Sequence, residues 1–128
     1  MLKFMRNESG SSSIEFVLWI PFIFTFILIA ADASMAFMRQ SQVWQVSRET
    51  ARIVSRYGMD ETQAEAFATA NATIGTTPPA AVDVSFNNGD VIVTIAISSD
   101  VLAPFGIITA VTSNFYVTRG THAMEPLT

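Results

Sequence analysis

The sequence predicts an α+β fold: a long N-terminal membrane-spanning helix whose outer half packs, with a short helix, on a small antiparallel sheet. Three observations predict it. From Ile14 to Met38, 20 of 25 residues are hydrophobic, which is the length and composition of a membrane span. From Arg39 to Tyr57, apolar residues recur at three- and four-residue spacings, as on one face of an amphipathic helix. From Val82 to Ile97, apolar and polar residues alternate on either side of an Asn-Gly pair, the pattern of a half-buried hairpin.

The elements follow in order. Residues 1–10 are short, polar and basic, with Lys3 and Arg6, and three serines follow. The apolar run then begins at Ile14, interrupted by Glu15, Pro21 and Thr25, and Asp32 ends its strict part. Val43, Val46, Thr50, Ile53 and Tyr57, with Trp44, Ala51 and Val54 beside them, extend the helix as an amphipathic rod. No Gly or Pro falls between positions 22 and 57, so one continuous helix from about Ser12 to Tyr57 is expected. At ~1.5 Å per residue it would be on the order of 70 Å long. Gly58 stands where a helix C-cap belongs. Asp60 and Gln63 have the spacing of a capping box before a second helix, Glu61 to Ala72. Gly75 to Pro79 breaks the chain. Val82–Phe86 and Val91–Ile97 read as strands around the turn Asn87-Asn88-Gly89, and their apolar positions share one face. Pro104-Phe105-Gly106 reads as a loop, and Phe115–Thr118 as a third strand. The helix stripe and the sheet face each need covering, and each most simply covers the other.

Composition narrows the function classes. One domain suits 128 residues. The overall 50% hydrophobic content averages a lipid-soluble rod and a small domain of ordinary composition. Seven Lys and Arg against 11 Asp and Glu give a net charge of −4, a poor footprint for nucleic acid. The absence of cysteine excludes disulfides, thiolate metal sites and cysteine nucleophiles. His122 is the single histidine. No metal, cofactor or catalytic residue is expected, and the chain is not read as an enzyme. A membrane-tethered enzyme would have to draw on Asp83, Asp90, Asp100, Glu125 and His122, whose placement at turns and on an outward strand face is that of solvating groups.

Glu15 is the most informative residue. A carboxylate inside a membrane helix costs about 2.5–3.5 kcal/mol at the centre, less near an end, and is usually paired. Arg6 lies nine residues before it and Arg39 far beyond. A basic leader ends in Gly10; Ser11 follows; Glu15 is the fifth residue after the glycine and Phe16 comes next. This resembles the processing site of type IV-like prepilins. The continuation Glu15-Phe16-Val17-Leu18-Trp19-Ile20-Pro21, with Arg48-Glu49-Thr50-Ala51-Arg52 after the span, resembles the TadE/TadF pseudopilin family, minor pilins of the tight-adherence (Flp, type IVb) pilus. The serine-rich positions after Gly10 are often alanine-rich in that family.

The resemblance implies a division into a leader, 1–10, a transmembrane and assembly helix, 11–38, and a periplasmic α+β domain, 39–128. It implies cleavage between Gly10 and Ser11 by a prepilin peptidase. It implies that Glu15, with Phe16 beside it, pairs with the terminal amine of a neighbouring subunit. A carboxylate and an ammonium meeting in low dielectric relieve each other's cost. Partners would then be the peptidase, other pilin or pseudopilin subunits, the inner-membrane assembly platform and membrane lipid. The location would be the bacterial inner membrane, with incorporation into an extracellular pilus, surface adhesion and biofilm formation downstream.

Other features allow more than one reading. Pro21 removes a helical hydrogen bond to Val17 and kinks or hinges the rod. Asp32 is either an interfacial acid or a pairing group. Arg48, Arg52 and Arg56 form a stripe at four-residue spacing, either a solvated face or a partner contact. The positive-inside rule counts Lys3 and Arg6 on one side against Arg39, Arg48, Arg52 and Arg56 on the other, which opposes the orientation the resemblance requires. Two alternatives stay open. In a Sec-exported globular protein, cleavage at Ala31-Asp32-Ala33 would leave Ser34 first. A plain single-span anchor would keep Met1.

Overall fold

α1 is one helix, Ser9–Ser55, of 47 residues, about 70 Å of rod at the usual rise. The computed structural model describes residues 9–107 and 115–124. Pro21 lies inside α1 and the helix continues through it. The helix also runs without a break past residue 38, where the span was expected to hand over to the domain. The rod ends in a Schellman motif. Gly58 N–H donates to the Ile53 carbonyl at 3.0 Å and Tyr57 N–H to the Val54 carbonyl at 2.9 Å. The left-handed residue is Tyr57, with φ 57°, and not Gly58 as the sequence suggests. Glycine is needed one place later for room: a Cβ at Gly58 would meet the Ile53 Cγ2 at 3.0 Å and the Ile53 carbonyl oxygen at 3.1 Å.

α2 spans Glu61–Ala72. Its capping box is formed as expected: Gln63 N–H donates to Asp60 Oδ1 at 2.7 Å, and Asp60 N–H donates to Gln63 Oε1 at 3.3 Å. Its buried side chains are Ala64, Ala68 and Ala72, a small-residue stripe that lets α2 lie close against α1.

The sheet has three antiparallel strands in the order β1 (Ala81–Asn87), β2 (Asp90–Ser98), β3 (Phe115–Ala123). Asn88 and Gly89, with φ 51° and 86°, turn the hairpin, and positive φ at both central residues is the type I′ signature. Val82 pairs Ile95 and Val84 pairs Val93, so the alternating apolar sets face the same way. β3 is longer than the four residues the sequence marks. Arg119, Gly120, Thr121 and His122 continue it opposite β2, although their composition reads as a strand end. A one-turn helix, α3 (Ser99–Leu102), follows β2.

The core lies between the outer half of α1 and the inward face of the sheet. It comprises Val43, Ala51 and Val54 of α1, the α2 alanines, Val84, and Val91, Val93, Ile95 and Ile97 of β2. Tyr57, expected on the packed stripe, and Trp44, expected beside it, are instead 53% and 46% exposed, while Ser47, Thr50 and Ser55 are fully buried. The reason is close approach. Gly120 of β3 sits so near α1 that a Cβ there would stand 2.6 Å from Ser47 Oγ and 2.8 Å from the Ser47 carbonyl carbon. Small α1 residues fit that gap and an indole does not. Their hydroxyls cost little, because Ser47, Thr50 and Ser55 donate to carbonyls of their own helix at 3.0, 2.8 and 2.8 Å.

Candidate functional site

The inner half of α1 stands clear of the domain. Ile14, Phe16, Val17, Leu18, Trp19, Phe22, Phe24 and Phe26 are each more than 60% exposed, and they occur on every side of the helix. Among the described residues α1 is the helix long and apolar enough to cross a membrane, and its most apolar stretch has no residue buried within the protein. Apolar side chains on all faces of a rod are stable in lipid and costly in water.

Glu15 is exposed near the start of that surface, with Phe16 and Pro21 also exposed after it. Gly10 and Ser11 lie in the first turns of α1. Thr25 Oγ1 donates to the Pro21 carbonyl at 2.8 Å, so the Thr25 hydroxyl is satisfied by its own helix.

Asp32 departs most from expectation. It is completely buried and lies neither at an open interface nor opposite a basic residue. Its carboxylate accepts from the Phe105 N–H at 2.8 Å and from the Ile107 N–H at 3.0 Å. Two turns later on the rod, Arg39 donates to the Val101 carbonyl, with the Leu102 carbonyl 3.5 Å away. One acid takes the amides and one base takes the carbonyls of the same segment, 101–107. Backbone groups in a turn need partners, and these two side chains supply them. Gln40 adds a bond to the Tyr116 hydroxyl, tying the start of β3 to α1. The loop itself was legible from Pro104 and Gly106. Its fastening was not, because the partners stand 73 and 75 positions apart.

The arginine stripe is exposed and partly engaged. The Arg48 guanidinium stacks over Trp44 at 4.7 Å from the ring centroid. Arg52 lies 3.9 Å from Glu49, both about half exposed, a geometry of small energetic weight. Arg56 is exposed at the end of α1. Trp44, Arg48, Arg52, Phe67, Asn71 and His122 line an open groove of about 570 Å³.

The acids considered for catalysis are spread out. Asp83 is exposed on the outward face of β1 and Asp90 is exposed at the start of β2. Asp100 is exposed in α3, where a hydrogen bond from Ser98 holds its carboxyl below the usual carboxylate range. His122 is exposed on β3. Glu125 lies outside the described residues.

The TadE family model, described as TadE-like protein, matches residues 10–52. The match runs from the start of α1, through the apolar surface, Asp32 and Arg39, to the middle of the arginine stripe. No curated protein and no solved structure matches the chain.

Proposed function

We infer that this chain, TadE-like over residues 10–52, is a pseudopilin: a membrane-anchored minor subunit used in assembling a tight-adherence pilus. The family relates it to the Tad pilus and to association with pilus subunits in general. The observation that carries the finer reading is the bare inner half of α1, apolar on all faces and joined rigidly to a folded α+β domain. Such a rod suits transfer from lipid into a bundle of like helices, since both environments bury the same surface.

In this reading a prepilin peptidase cuts between Gly10 and Ser11. Glycine at the cut leaves the backbone open to the protease. The amine released on Ser11 and the Glu15 carboxylate are then mutual partners between neighbouring subunits, and their pairing sets the register of assembly. The domain is periplasmic. The positive-inside count against that orientation loses weight, because Arg39 is turned inward to backbone carbonyls and Arg48 lies on Trp44. These charges act within a folded domain, and domains translocate largely regardless of charge. The role is structural and non-enzymatic.

The deciding experiment is N-terminal sequencing of the mature protein. Ser11 as first residue supports this reading, Ser34 supports an exported globular protein, and Met1 supports a plain anchor. Gly10→Leu is expected to accumulate a slower-migrating precursor. Glu15→Val is expected to be cleaved normally yet fail to join the pilus machinery. Full pilus assembly with Glu15→Val would refute the pairing role.

A further inference from the structure

The end of the domain nearest the apolar rod turns little charge outward, with Asp100 of α3 its exposed acid. Asp32 is buried against the amides of Phe105 and Ile107, and Arg39 is spent on the carbonyls of 101–102. In sequence, no Asp, Glu, Lys or Arg falls between Asp100 and Arg119. At the opposite end of the domain, Asp60, Glu61, Asp90 and Arg56 are exposed.

The clamp also fixes a height. Phe105 N–H lies 2.8 Å from the Asp32 side chain, so this loop stands beside Asp32, level with the outer edge of the apolar run. The lipid-like surface of α1 continues past that level, since Phe37 and Met38 are 72% and 74% exposed about 9 Å further along the rod. Phe105 is 52% exposed, and the clamp engages it through its backbone N–H, which leaves its ring out of the clamp's hydrogen bonds. On the outward face of β3, Val117 is 58% exposed, one residue past Tyr116, which bonds Gln40.

We propose that the loop at Phe105 is a second membrane contact, seated in the lipid interface beside α1, with Asp32 and Arg39 fastening it so that it presents an aromatic side chain to the lipid while its amides at 105 and 107 and its carbonyls at 101 and 102 stay bonded. Aromatic rings favour that zone, and backbone at that depth is tolerated only where its polar groups are satisfied. The domain is thereby held at two points and fixed in its rotation about the rod. This rests on the reading of α1 as a membrane span.

The chain has no cysteine, so single substitutions can carry a spin label without background. Full-length Phe24→Cys, Phe105→Cys, Val117→Cys and Phe86→Cys proteins are labelled and reconstituted in phosphatidylethanolamine/phosphatidylglycerol vesicles. Collision with molecular oxygen is compared with collision with a water-soluble nickel chelate. The expected oxygen-to-nickel ratio falls in the order 24, 105, 117, 86, with position 105 several-fold above position 86. A ratio at 105 equal to that at 86 overturns the proposal. So does shielding of 105 from both reagents that is relieved by diluting protein in lipid, which would mean that a second copy covers the loop. An aqueous reading at 24 would instead overturn the span reading and this proposal with it.

Discussion

Asp32→Ala tests the clamp directly. The substitution removes the acceptor of two backbone N–H groups at 2.8 and 3.0 Å from a position with no exposure to water. A buried donor left without a partner costs about 1–3 kcal/mol, and bonds to an ionised acceptor sit at the stronger end. The loop can swing outward to recover some of that loss, so about 2–4 kcal/mol is the expected local cost. With each 1.4 kcal/mol worth tenfold, the amides of Phe105 and Ile107 should exchange hydrogen on the order of 30- to 1,000-fold faster. Exchange mass spectrometry on the full chain in detergent reads this out. Asp32→Asn should fall between, because its carbonyl keeps one donor while its amide faces the other. Amides of the β1–β2 hairpin serve as the internal control. Unchanged exchange at 105 and 107 in Asp32→Ala would refute the reasoning, and so would equal acceleration in the hairpin, which would mean global loss of stability.

Three other substitutions probe the packing. Gly120→Ala places a methyl 2.6 Å from Ser47 Oγ and 2.9 Å from the Arg48 backbone nitrogen; overpacking of this kind costs about 1–3 kcal/mol, seen as a lower thermal midpoint. Tyr57→Gly relieves a left-handed residue at φ 57° whose side chain is half exposed, and should raise stability by about 1 kcal/mol; a lower midpoint would count against the strain. Thr118 Oγ1 is buried without a hydrogen-bond partner among the described residues, so the isosteric Thr118→Val should be neutral or stabilising by up to about 1 kcal/mol in the same melts.

Signals that act over a few residues were legible in the sequence. The rod followed from hydropathy and the absence of breakers, the α2 start from Asp60 and Gln63, and the hairpin from Asn88 and Gly89. Each is a local solution to a local problem of backbone hydrogen bonding. What escaped depends on residues far apart in the chain. Asp32 looked like an interfacial acid because its partners are amides of residues 105 and 107. β3 looked short because Gly120 reads as a strand breaker, and only the nearness of Ser47 explains it. Trp44 was read beside the packed stripe, yet it is 46% exposed while Ser47 is buried, because helix–sheet distance decides which side chain fits. In the candidate site, Gly10, Ser11 and Glu15 were marked by spacing and resemblance, whereas the fastening by Arg39 has no sequence signal.

The pairing of β3 with the outer half of α1 has a consequence for biogenesis. α1 and the last described strand, Phe115–Ala123, share one core, so the apolar stripe of Val43, Ala51 and Val54 gains its full cover only when β3 has been made. Contacts of such long sequence separation form slowly, and exposed stripes aggregate while they wait. Until β3 is in place the stripe stands uncovered. Truncation within β3 should therefore leave this stripe uncovered and the domain unfolded, so folding becomes a check that the chain has been made through β3.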